Sequence, residues 1–81
     1  MPGLLLVADL HGRRYEIVED STAGFYVFAY GEKGRGTHDY LQDALEIAKL
    51  RAADGFGVSR DSWRPAKDGE RPLYEQGLDA P

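Results

Sequence analysis

The sequence predicts an α+β domain: an antiparallel β-meander of three or four strands with one α-helix packed on one face, followed by a short extended segment and an irregular C-terminal tail. The chain has 81 residues, the size of one domain. Up to residue 40, apolar and β-branched runs alternate with turn residues, and beyond it apolar residues recur at helical spacing. We assign residues 1–64 to this domain and residues 65–81 to a polar, loosely ordered tail.

The first two predicted strands cover residues 4–10 (LLLVADL) and 13–19 (RRYEIVE). The His11–Gly12 pair between them is a hairpin signal. Alternation places Tyr15 and Ile17 on one face of the second strand and Val18 on the other. The next five residues, DSTAG, have the composition of a turn.

The third predicted strand, residues 25–30 (FYVFAY), is the strongest, because aromatic and β-branched residues favour pleated surfaces. It carries large side chains on both faces. Phe25, Val27 and Ala29 point one way, and Tyr26, Phe28 and Tyr30 point the other. Residues 35–40 are predicted to form a short fourth strand.

A helix follows the strands. Apolar residues recur at its spacing, and the positions are Leu41, Leu45, Ala48 and Ala52. The small alanines would let the helix lie close to a sheet. Asp43 and Glu46 predict a start close to a capping box, and Gly55 predicts the end. Residues 59–63 (SRDSW) are typical of a capped turn, which would fold Trp63 back onto the domain.

A glycine-rich stretch, residues 31–36 (GEKGRG), raises the question of a phosphate-binding loop. A Walker loop needs G-K-[ST] after its first glycine, and this sequence has none. A dinucleotide fingerprint needs G-x-G-x-x-G directly before a helix, whereas the spacing here is reversed and the helix lies further on. We therefore interpret the stretch as a hairpin turn and expect no cofactor.

The turns after the first and third strands of a meander lie at the same end of the sheet. They would bring four cations together in a basic rim, made of Arg13, Arg14, Lys33 and Arg35, with His11 nearby. This rim is a candidate site for a phosphate or an acidic partner. Solvated turns, which are usually polar for solubility alone, are the other interpretation.

One helix can cover only one face of the sheet, so the face with Tyr26, Phe28 and Tyr30 needs a cover. The C-terminal segment with Trp63, Leu73 and Tyr74 could fold over it. A second copy of the chain could pack against it as a homodimer, which is the interpretation we favour. The aromatics could also stack single-stranded nucleic acid, although Glu16 and Asp20 on the same face disfavour this.

The bulk properties narrow the function classes. The net charge of −4 and pI of about 5.0 disfavour nucleic acid as a partner. The chain has no cysteine and 2 histidines, so we expect no disulfide and no metal site. The apolar run LLLVA is too short to span a membrane and lacks a basic segment before it, so we expect a cytoplasmic protein with no membrane partner.

Catalytic signatures are weak. His38 and Asp39 are neighbours on a strand and would point to opposite faces, so they are poorly placed for a dyad. Ser21, Ser59 and Ser62 lack a nucleophile elbow. We therefore predict no catalytic residues and a small, self-associating interaction module rather than an enzyme.

Several short motifs resemble a family of short uncharacterised bacterial proteins. They run from Tyr15 to Trp63, and they are YEIVED, GFY, GR, Asp39, ALEIA, FGV and the tryptophan itself. The resemblance implies the same small fold and no assigned activity. A looser similarity is to antitoxin domains of the HicB type, whose strands and helix have a counterpart here in QDALEIAKLRA. It implies an alternative role in nucleic-acid association, although the Gly-Cys-type turn before the helix is missing.

Overall fold

A computed structural model describes residues 3–10, 12–30 and 36–72, with the side chains of residues 36–40 left out. It contains one antiparallel sheet and one helix, which confirms the predicted α+β class. The elements are β1 (Gly3–Leu10), β2 (Arg13–Asp20), β3 (Gly24–Tyr30), β4 (Gly36–Gln42), α1 (Leu45–Phe56), a 3-10 turn (Arg60–Ser62) and β5 (Arg64–Pro65). The sheet has 5 strands in the order β4-β3-β2-β1-β5.

The register places alternate residues of the three central strands on opposite faces. Ile17 of β2 lies between Leu6 and Val27 on the helix side. On the other side, Glu16 lies between Val7 and Phe28. The predicted separation of the β3 side chains into two sets is therefore confirmed, because partners across a strand pair share a face.

The core lies between α1 and the sheet. Ala48 and Ala52 are completely buried, as the prediction of a closely packed helix requires. The ring of Phe56 lies 5.5 Å from that of Tyr15 of β2, at the C-terminal end of the helix. Trp63 packs against the same cluster, so the prediction that the turn after the helix folds it back is confirmed.

Both predicted helix ends differ from the observed ones. Ala44 occupies the N-cap position with no side-chain cap, and α1 continues through Gly55. It ends at Phe56, and its C-cap is Gly57, whose φ of 72° is left-handed and whose N–H is directed at the carbonyls of Ala52 and Ala53. The extra residues carry Phe56 to Tyr15, so tertiary packing extends the helix past the first glycine.

The chain after the 3-10 turn docks along the edge of β1. Arg64 and Pro65 pair with Val7 and Leu6, and the amide of Ala66 donates to the Leu5 carbonyl at 3.0 Å. The prediction of a loosely ordered tail from Pro65 onward therefore differs from the structure over residues 65–72. We call residues 64–72 the strap. Residues 73–81, with Leu73 and Tyr74, lie outside the described residues.

Candidate functional site

The face of the sheet opposite α1 is the candidate functional surface, and we call it the second face. It divides into two halves of different chemistry. On the β1–β2 half lies a charged cluster made of Arg14, Glu16, Arg64 and Glu70. On the β3–β4 half lies an apolar patch made of Tyr26, Phe28 and Leu41.

Glu16 is the most unusual member of the charged cluster. Its side chain is completely buried, in the middle of the central strand and between Val7 and Phe28 in register. The Nε of Arg14, two residues earlier on the same face, donates to Glu16 Oε2 at 2.6 Å. A carboxylate is stable at such a position only when it is paired and hydrogen-bonded, and Arg14 supplies that pairing.

Glu70 is held by several donors at once. Arg64 donates from both terminal nitrogens, each at 2.9 Å, and Arg14 donates from Nη2 at 3.2 Å. The backbone N–H of Lys67 adds a hydrogen bond of 2.8 Å. The hydrogen bonds from Arg64, followed by that from Lys67, lower the pKa of Glu70 from its usual 4.5 to about 2, with further help from the charge of Arg14.

The charges of this cluster balance one another. Arg14 lies between the carboxylates of Glu16 and Glu70, and Arg64 pairs with Glu70, so two cations face two anions. The charge of Arg64 is likewise stabilised, and its pKa is raised by the hydrogen bonds to Glu70. Both cations of the charged cluster, Arg14 and Arg64, are therefore already engaged within the chain.

The predicted basic rim is only partly described. Arg13 and Arg14 are consecutive residues of β2 and so lie on opposite faces. Arg13 is exposed and stands in register with Leu10 on the helix side, whereas Arg14 belongs to the charged cluster. Lys33 and Arg35 lie outside the described residues, as does His11, and the rim stays a prediction.

The predicted aromatic interface is described in full. The Tyr26 and Phe28 rings lie 5.7 Å apart with an angle of 22° between their planes, and those of Phe28 and Tyr30 lie 6.2 Å apart at 29°. Tyr30 is buried within the single chain, and Tyr26 and Phe28 are half-buried. Leu41 stands beside Tyr26 in register and is 48% exposed.

Sequence reasoning missed three of the important residues on this face. The sequence assigns Glu70 to the predicted tail and gives Arg64 no role. The helix pattern includes Leu41, although it lies in β4. Arg14 and Glu16 give a local signal for the charged cluster, since residues two apart on a strand share a face. No local pattern indicates that Arg14 also pairs with Glu70, 56 positions further along the chain.

Other types of site find little support in the described parts of the chain. No group of three or more His, Asp or Glu residues there could hold a metal ion. Two open depressions, of about 290 and 300 Å³, lie near Leu4 and Leu50 respectively. His38 and Asp39 are adjacent in β4, but their side chains are outside the description. No helix of the described chain has the length and apolar character needed to cross a membrane.

The chain was compared with family models, curated proteins and solved structures. None of the three comparisons finds a match. The resemblances drawn from the short motifs, including the one to HicB-type antitoxins, therefore stay predictions.

Proposed function

We propose that the protein is a small non-enzymatic interaction module that self-associates as a homodimer through the apolar patch of the second face. The observation that carries the proposal is the position of Leu41. It is 48% exposed, next to the half-buried Tyr26, on the strand at the β4 end of the sheet order. Aromatic and aliphatic side chains grouped in this way are typical of the centre of a protein interface.

The other half of the second face is already covered within the chain, so the apolar patch lies at the β4 end of the sheet. The strap and the charged cluster occupy the β1–β2 half, where Val7 and Val18 are completely buried. Within the described chain, β4 pairs with β3 alone, so its outer edge is the side from which a second copy can approach. A two-fold axis beside β4 would place the same patch of both copies in contact.

Light scattering over a tenfold range of protein concentration tests the proposal, with Leu41→Glu as the variant. The matched control is Leu50→Glu, because Leu50 is 60% exposed on α1, which covers the other face. We expect a dimer for the wild type and for the control, and a monomer for Leu41→Glu. A monomeric wild type, or a Leu41→Glu variant that still dimerises, would overturn the proposal.

The competing function is nucleic-acid association in an antitoxin-like setting. Its aromatic platform would be Tyr26 and Phe28, and it needs free cations beside them. Arg14, the described cation of β2 on that face, is already paired with two carboxylates. Binding to single-stranded RNA that falls steeply with added salt would favour this function over self-association, which depends on apolar contact.

A further inference from the structure

The strap pairs with β1 over a short stretch. Its β-pairing comprises only Arg64 and Pro65, followed by one hydrogen bond from the Ala66 amide to Leu5. From Lys67 to Gly69 its residues are exposed. The backbone pairing with β1 therefore covers only the first part of the strap. Local opening of such a segment costs less free energy than global unfolding.

The carboxylate of Glu70 attaches the strap to the central part of the sheet. It reaches across β1 to Arg14 of β2, and it also ties the strap to itself through Arg64 and the Lys67 amide. Charge-assisted and bidentate hydrogen bonds of this kind are stronger than neutral ones. One side chain thus joins three parts of the strap and the central strand β2.

We propose that Glu70 is a latch, whose clamping by Arg14 and Arg64 holds the strap closed over the outer edge of β1. In the closed state β5 occupies that edge. Opening would expose the backbone of β1 along the apolar residues Leu5–Val7, and an open apolar edge strand is a template for pairing with another chain. The latch therefore keeps the β1 edge covered, at the end of the sheet opposite the apolar patch. This proposal does not depend on the proposed dimer.

Hydrogen exchange of the Ala66 amide provides the test. Its acceptor is the Leu5 carbonyl, which a change at Glu70 leaves in place, so its exchange reports opening of the strap rather than the loss of Glu70 itself. In Glu70→Ala we expect this amide to exchange about tenfold faster, and in both proteins we expect it to exchange faster than the amides of Ile17 and Val27 in the central strands, because local opening of the strap costs less than global unfolding.

Two comparisons complete the design. Glu46→Ala removes another carboxylate–arginine pair, with Arg60, whose side chains are 67% and 70% exposed, and it should leave the Ala66 rate unchanged. Glu70→Gln keeps an oxygen for the Lys67 amide but loses the charge, and we expect an intermediate rate. An unchanged Ala66 rate in Glu70→Ala would overturn the latch. So would equal protection of the Ala66, Ile17 and Val27 amides in the wild type, since the strap would then open only with the whole domain.

Discussion

The carboxylate of Glu70 accepts two parallel hydrogen bonds of 2.9 Å from the guanidinium of Arg64, six residues earlier in the chain. The same carboxylate also accepts a hydrogen bond of 3.2 Å from Nη2 of Arg14 on the central strand β2. A segment that reads as a polar tail is thereby attached to the middle of the sheet. This relationship ties the strap to the β1–β2 half of the second face, away from the apolar patch at β4 through which we propose dimerisation.

Acid should weaken the domain through Glu70. Its folded pKa of about 2 lies below its usual 4.5, so its stabilisation is complete above about pH 4.5 and is lost as the pH falls toward 2. We expect Glu70→Gln to lower the free energy of unfolding by roughly 1 to 2 kcal/mol at pH 7. The difference from the wild type should shrink between pH 5 and pH 2, measured by urea unfolding at each pH.

The groups that face Glu70 support the expected loss of stability in acid. Arg64 keeps its charge throughout that range because the hydrogen bonds to Glu70 raise its pKa, and Glu16 lies on the far side of Arg14. Asp20, whose pKa is lowered by hydrogen bonds from the Thr22 hydroxyl and amide, is present in both proteins and cancels in the comparison. A difference that stays constant down to pH 2 would contradict the assignment.

Removal of Arg14 should destabilise the protein far more than removal of its neighbour Arg13. Arg14→Ala takes the Nε–H from a completely buried carboxylate, that of Glu16, and one donor from Glu70. We expect a loss of about 2 to 4 kcal/mol in the free energy of unfolding, in the range for breaking one side of a buried ion pair.

Arg13→Ala is the matched control, because Arg13 is exposed on the same strand. We expect its effect to stay within about 0.5 kcal/mol of the wild type. Chemical denaturation of both variants at pH 7 measures the two values. Similar losses in both would mean that burial of Glu16 does not depend on Arg14.

Gly24 should tolerate no side chain. Its φ is 132°, and a Cβ there would overlap the backbone carbonyl oxygen of Gln42 on β4. We expect Gly24→Ala to cost at least about 2 kcal/mol, because both the conformation and the approach of the two strands are violated. Gly3→Ala is the control, since a Cβ at Gly3 meets no atom within 4 Å. Thermal unfolding should show a large decrease in Tm for the first variant and almost none for the second.

The two glycines near the end of α1 should respond in opposite directions. Gly55 lies inside the helix with open space around it, so Gly55→Ala should raise stability by about 0.5 to 1 kcal/mol. Gly57 caps the helix with a φ of 72°, so Gly57→Ala should lower stability by about 1 kcal/mol. Thermal unfolding of both variants measures the effect. A gain at Gly57 would show that the helix can end without a left-handed cap.

The sequence by itself determined the α+β class, the four main strands and the division of the β3 side chains between two faces. These features depend on local signals: the period of two in a strand, turn residues between strands, and the spacing of Leu45, Ala48 and Ala52 in the helix. The tertiary structure decided where the helix ends, because Phe56 had to reach Tyr15. It also determined that residues 64–72 run along the edge of β1 and that Glu16 is buried. Those outcomes depend on contacts between residues far apart in the chain, such as Arg14 and Glu70, whose pairing no local pattern encodes.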